Sequence, residues 1–155
     1  MSLQDYVNRK YDFLALQSSG TQREKSLGLS LFTADTSGKL CVGIQKLAQR
    51  WLLEFLTETG SIVGQPERGC GFMTTVRQGK MRTALNANVA FATSSLAVRR
   101  QLVNEEYVGM PDDERIAAVE LLGIAFLPGY LSIGIKINSR AGDTRAVIIP
   151  VETLP

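Results

Sequence analysis

GIQKLAQRWLLEFLTETGSIVGQPERGCGF, residues 43–72, decides the fold. Its first half repeats apolar side chains at spacings of three and four: Ile44, Leu47, Ala48, Trp51, Leu52 and Phe55. A helix turns that pattern into one apolar stripe. Gln45, Gln49, Arg50, Glu54 and Glu58 fall on the other side and are expected to face water. The spacing predicts a helix over 40–57. Asp35-Thr36-Ser37-Gly38 offers it N-cap oxygens. Gly60 is its expected C-cap, since glycine takes the left-handed conformation without a Cβ penalty. Residues 61–80 hold Gly64, Pro66, Gly69, Gly71 and Gly79 and are expected to be irregular.

Downstream, a second helix is expected over 82–106. Leu85, Val89, Ala92, Leu96, Arg99 and Val103 trace one stripe, which Ala84, Phe91, Val98 and Leu102 widen. So broad an apolar surface suits a sheet on one side and a neighbour on another. After Gly109-Met110-Pro111 the period falls towards two. Residues 116–126 read as a strand, with a helix as the alternative their alanines and leucines allow. Pro128-Gly129 turns the chain. In residues 130–138, Leu131, Ile133, Ile135 and Ile137 alternate with Ser132, Gly134, Lys136 and Asn138. After the turn Ser139–Asp143, Val147, Ile149 and Val151 alternate again. Pro150 lacks an amide donor, which suits an edge strand.

Upstream, residues 1–10 read as a polar arm and Asp12–Leu16 as a short strand. Lys25–Phe32 alternates Leu27, Leu29 and Leu31 with Ser26, Gly28 and Ser30, another half-buried strand. The expected class is α+β: two helices packed on a small antiparallel sheet, with a C-terminal β-meander. Residues 1–39 form an arm with strands, and 40–155 the main domain.

The 155 residues make one domain, long enough to bury about 68–70% of its unfolded surface. The 45% apolar and 21% charged fractions are ordinary for a globular protein, and a net charge of +2 excludes polyanion binding by bulk charge. Two cysteines outside any CxxC pair, Cys41 and Cys70, read as free thiols of a reduced cytosolic chain. The N-terminus shows no secretory pattern, and no apolar run approaches the ~20 residues of a membrane span.

The chain has no histidine, so Ser-His-Asp and Cys-His nucleophiles and His-containing metal sites are excluded. GxGxxG and GxxxxGK[ST] are absent, and the glycines around Cys70 lack phosphate-loop spacing. No cofactor is expected. Carboxylate pairs could hydrolyse a glycoside. The candidates are Glu54 with Glu58, Glu105 with Glu106, and Asp112, Asp113 and Glu114. Solvated surface charge explains them more simply, and no enzyme is expected.

Charge is unevenly placed. Arg68, Arg77, Lys80 and Arg82 oppose Glu67 alone, whereas Glu105, Glu106, Asp112, Asp113, Glu114 and Glu120 oppose Arg115 alone. A basic loop and an acidic junction suit contacts between molecules; the alternative is two ordinary loops of opposite sign. Aromatics do not interleave with the basic residues, so nucleic acid is not an expected partner. The terminal strands are the other candidate surface. An exposed edge invites strand addition from another chain, unless the N-terminal strands cover it within the monomer.

This order of elements resembles a family. A first helix, a Pro66-Glu67-Arg68-Gly69 loop, a long second helix, Asp113-Glu114-Arg115-Ile116 and the YLSIGIKI and AVIIPV strands look like the short baseplate wedge proteins of contractile tails. These are the phage sheath initiators, W-like or lysozyme-like baseplate proteins, found also in type VI secretion. Their members carry a P-x-x-G loop, an E-P-R-I-type motif and a C-terminal meander. Here D-E-R-I stands where E-P-R-I would fall, without the proline. The resemblance covers about residues 40–152.

The resemblance implies a fold like the inner domain of tail sheath subunits, which interlock by donating strands. It implies a structural protein of the virion tail baseplate, assembled in the host cytoplasm, that templates the first sheath ring. The implied partners are the tail sheath protein, baseplate wedge proteins and a central hub or tube-initiator protein, with no nucleic acid and no membrane. The expected contact residues are Arg68, Arg77, Lys80, Glu114, Arg115, Val147, Ile149 and Val151. A glycan-hydrolysing tail enzyme and a generic tail adaptor or completion protein are the alternatives.

Overall fold

The computed structural model describes residues 9–16 and 39–153. The expected Lys25–Phe32 strand, the Asp35–Gly38 cap and most of the arm lie outside them. The chain runs through β1 (Asp12–Phe13), β2 (Leu40–Cys41), α1 (Gly43–Leu56), α2 (Phe72–Arg77) and α3 (Ala84–Asn104). A 3-10 turn at Asp112–Glu114 leads into β3 (Ile116–Leu127), β4 (Tyr130–Ser139) and β5 (Thr144–Glu152). The class is α+β, as expected. β1 and β2 pair as a small antiparallel ladder, and β3-β4-β5 form the antiparallel meander.

The meander follows from period-two alternation. Leu131, Ile133, Ile135 and Ile137 are all fully buried, and Val147, Ile149 and Val151 join them. The register sets like beside like: Leu131 opposite Val151, Ile133 opposite Ile149, Ile135 opposite Val147. Such cross-strand apolar pairs are the unit of sheet stabilisation. Residues 116–127 resolve as strand rather than helix, with irregularities between Ile116 and Ala118 and between Leu121 and Gly123. Among the described residues β5 is an edge, and Pro150 lies in it opposite Ser132.

α1 is the hub. It touches α2, α3, β4, β5 and the 3-10 turn. Trp51 stacks on Phe55 at 4.6 Å between centroids, and Phe55 meets Phe72 of α2 at 4.6 Å and Phe91 of α3 at 5.6 Å. Four buried aromatic rings thus tie three helices together, each pair adding about 0.5–1.5 kcal/mol beyond its burial.

Four expectations need correction. The first helix starts at residue 43, because Leu40 and Cys41 pair with Phe13 and Asp12. It ends at Leu56, and Gly60 sits in the later turn closed by Ser61 N–H on Glu58 carbonyl. Residues 61–80 contain α2, six residues anchored by buried Phe72 and Val76. Flanking glycines hide so short a helix from periodicity.

The third correction is to the wet face of α1. Gln49 and Glu54 are buried, as is Lys46. The fourth is to α3. Its core stripe is Ala87, Phe91, Ser94, Val98 and Leu102. The stripe expected to lead instead faces outward, with Leu85, Val89 and Leu96 at 71, 58 and 48% exposure. The two stripes lie on opposite sides of the helix, and the side carrying Phe91 completes the aromatic cluster.

Candidate functional site

Three clusters gather the residues that the sequence singled out. The first joins the N-terminus of α1 to the D-E-R-I segment. Glu114 is 1% exposed. Its Oε1 accepts from Gly43 N–H at 3.3 Å, and its Oε2 from Lys46 Nζ at 2.7 Å. A carboxylate 71 positions away thus caps α1, where orphan amides and the helix dipole favour negative charge. Lys46 Nζ also donates to Lys10 carbonyl, and Arg9 donates to Asp113 at 2.7 Å. Gln49 completes the strap: its Oε1 accepts from Ala15 and Leu16 N–H, and its Nε2 donates to Phe13 carbonyl. The buried polar groups of α1 therefore bind residues 9–16 to the domain.

Arg115, the next residue of that segment, is partly exposed. It reaches Asp112 at 3.5 Å and the Tyr107 carbonyl at 3.4 Å. Its own carbonyl accepts from Arg140 N–H, pinning the β4–β5 turn to the junction.

The second cluster is the Pro66–Gly69 loop. Arg68 pairs with buried Glu54 of α1 and, at 2.7 Å, with Glu105 beyond α3. Arg50 takes the other oxygen of Glu105, also at 2.7 Å. Gly69 N–H donates to Glu54 at 3.0 Å, and Cys70 N–H to Thr57 carbonyl at 2.8 Å. Gln101 of α3 donates to the Glu67 and Gly69 carbonyls. Gly69 has φ +86°, and a Cβ there would strike the Thr57 carbonyl. The glycine is required by this close approach, not by a ligand. Arg77 pairs with Glu58 at 2.8 Å. The basic loop and the acidic junction thus meet each other within one chain, through Arg68 and Glu105.

The third cluster is β5. Val147, Ile149 and Val151 point into the core, so their side chains are spent on packing. What β5 leaves open is the backbone of its outer edge, which pairs with no strand among the described residues.

The carboxylates considered for glycan hydrolysis are all engaged in ion pairs: Glu54, Glu58, Glu105, Glu106, Asp112, Asp113 and Glu114 each hold a cation. Two surface grooves flank α3, and no Asp or Glu lines either. Among the described residues, no group of three Cys, Asp or Glu is placed to hold a metal, and no helix is long and apolar enough to cross a membrane. Cys41 and Cys70 are free and buried. Burial, helped by the charge of Asp12, pushes the Cys41 thiol up to about 12, and burial also raises Cys70.

Lys80 is the exception among the expected contact residues. It is exposed at the mouth of the groove between α2 and α3 and makes no ion pair among the described residues. Of the groups that do most to organise the site, sequence reasoning missed Lys46 and placed Gln49 and Glu54 on the wet face. Spacing along α1 gave no signal for them, since their partners lie in other parts of the chain.

No family model matches the chain, and no curated protein matches it. Among solved structures, it is similar to a protein from Geobacter sulfurreducens described as a "putative tail lysozyme". The two share 19% identity and a TM-score of 0.41, over 72% of this chain and 91% of that one. So loose a superposition leaves both fold and use to be read from this chain's own residues.

Proposed function

We propose that this chain is a structural component of a contractile phage tail baseplate, which templates the first sheath ring and links wedge to hub. The observation that carries this reading is the outer edge of β5, open among the described residues, at the end of a meander whose inner face is sealed. A strand with alternate side chains locked in the core offers a rigid main-chain template, and main-chain pairing is how a further strand adds to a sheet. Strand donation by a sheath subunit needs such an edge. The order of loop, long helix, D-E-R-I segment and meander supports the same reading through its resemblance to the baseplate wedge proteins. The proposed partners are the tail sheath protein, wedge proteins and a central hub or tube initiator. The proposed location is the virion tail baseplate, after assembly in the host cytoplasm.

The proposed role is architectural. The carboxylates that could have served hydrolysis hold loops and helix ends. Arg115 is a candidate contact, since it is held by one long ion pair at the surface of the junction.

The test is seeding. Purified chain added to sheath protein should shorten the lag of sheath polymerisation, and Arg115→Glu should weaken seeding more than it lowers the melting temperature. Failure to seed sheath and to bind wedge or hub proteins would sink the proposal. So would a cell-wall lytic activity abolished by Glu105→Gln or Glu114→Gln in protein that still folds.

A further inference from the structure

The outward stripe of α3 has an order that solvent does not require. Leu85, Val89, Ala92, Leu96, Arg99 and Val103 follow one another at steps of 4, 3, 4, 3 and 4. These steps of three and four keep the stripe on one side of the helix, the spacing by which one helix packs on another. It lies on the side of α3 opposite the core. A groove runs along each flank. The one towards α2 holds ≈ 910 Å³ over Ala90, Ser94 and Ala97, and the one towards β3 ≈ 490 Å³ beside Phe91, Val119 and Leu121.

Charge identifies the occupant. Most cations of the loop and junction are paired within the chain. Lys80, Arg82, Arg99 and Arg100 are exposed and form no ion pair among the described residues. Lys80 and Arg82 stand at the mouth of the larger groove, Arg99 lines the smaller one, and Arg100 follows it. The nearby acids Glu105 and Glu106 are already held by Arg50, Arg68 and Arg140. We infer that the outer face of α3 is a docking site for an acidic amphipathic helix of another protein. Its apolar seam would lie along Leu85, Val89 and Leu96, with carboxylates facing Lys80, Arg82, Arg99 and Arg100.

Other occupants fit less well. A second copy brings no acid to the face: in parallel Arg99 meets its own copy, and in antiparallel register it meets Val89. An anionic bilayer would accept the cations but needs no flanking grooves, and the outward stripe has no Trp, Tyr or Phe for the interface. The site stands apart from the β5 edge, so its test is separate from the seeding test.

The experiment is a selection against the full chain at about 50 mM salt, where surface attraction is little screened. The probe is a displayed library of helices of ~25 residues, about seven turns. Their a and d positions are fixed as leucine, and their e and g positions vary between Glu and Lys. The selected pool should be enriched in Glu. Val89→Glu with Leu96→Glu should weaken binding of that pool by roughly tenfold or more. Arg99→Glu with Arg100→Glu should turn the preference towards Lys. All four positions are exposed, and thermal melts confirm folding. A pool with no charge bias, or binding indifferent to both double variants, overturns the inference. A wild-type dimer dissociated by Leu96→Glu assigns the face to a second copy and overturns it. Co-sedimentation with phosphatidylserine vesicles, lost in the same variants, assigns it to a bilayer and overturns it.

Discussion

The two long helices break the usual rule in opposite directions. α1 buries Lys46, Gln49 and Glu54, while α3 exposes Leu85, Val89 and Leu96. Both follow from position. α1 lies at the centre, touched by the other helices, the meander and the N-terminal strap, so its polar side chains must find partners inside. α3 lies at the rim with one side on the core, so none of the described residues covers its second apolar stripe. A polar residue in the interior stabilises only when partnered. An apolar residue outside costs little until a partner gives it value. The interior of α1 therefore holds this chain together, whereas the exterior of α3 is exposed among the described residues.

The comparison breaks most sharply at Glu114. Glu114→Ala leaves Lys46 buried without its counter-charge, which should cost about 3–5 kcal/mol. It also uncaps α1 at Gly43. Urea titration is the check. Replacing both partners, Lys46→Met with Glu114→Leu, should recover much of the loss, because the orphaned charge is gone. A single substitution costing under about 1 kcal/mol would mean that the junction is wet, and that α1 is no more interior than α3.

The Pro66–Gly69 loop comes next. Gly69→Ala should cost about 3 kcal/mol, combining a positive φ with a clash against the Thr57 backbone. Gly64→Ala, where a Cβ meets nothing, should cost only the conformational part of that. Equal losses at the two positions would show that the loop is not clamped onto the end of α1.

Much of this was readable in advance. The β4 and β5 alternation is unambiguous, since a one-residue slip would turn every isoleucine outward. The length of α3 was readable as well. Which of its two stripes faces the core was not, because each has helical spacing and only the ring of Phe91 against Trp51 and Phe55 decides. The polar interior of α1 was hidden for a related reason. Gln49 finds its partners at Phe13, Ala15 and Leu16, and Lys46 finds Glu114, all more than thirty positions away. Spacing along one helix carries no trace of such partners. The same holds for Arg68 and Glu105: their opposite charges were visible, but not that they close on each other.

The thiols give a smaller effect that sharpens the contrast. Cys41 is buried beside α1, with its thiol raised from 9.0 to about 12. A raised folded value means that the neutral thiol is the stable form. Its contribution is complete below pH 9 and is lost as pH rises towards 12. By pH 10 the loss should be about 1.4 kcal/mol, and Cys41→Ala should flatten that alkaline slope. Both thiols should resist a disulfide reagent at neutral pH until the chain unfolds.

The smallest expected effect is on α3 itself. Leu96→Glu in the isolated chain should change stability by no more than about 0.5 kcal/mol, since a half-exposed side chain on an uncovered ridge loses little on becoming polar. Phe91→Ala, five residues earlier on the opposite stripe, should cost about 3–5 kcal/mol. The ratio of the two, measured in one denaturation series, tells whether the outer stripe belongs to the fold. If Leu96→Glu also destabilises strongly, something of this chain already covers that ridge, and α3 is a second interior helix. If it does not, the order of Leu85, Val89, Ala92 and Leu96 plays no part in the stability of the isolated chain, and the helix-library selection becomes the experiment that tests what covers it.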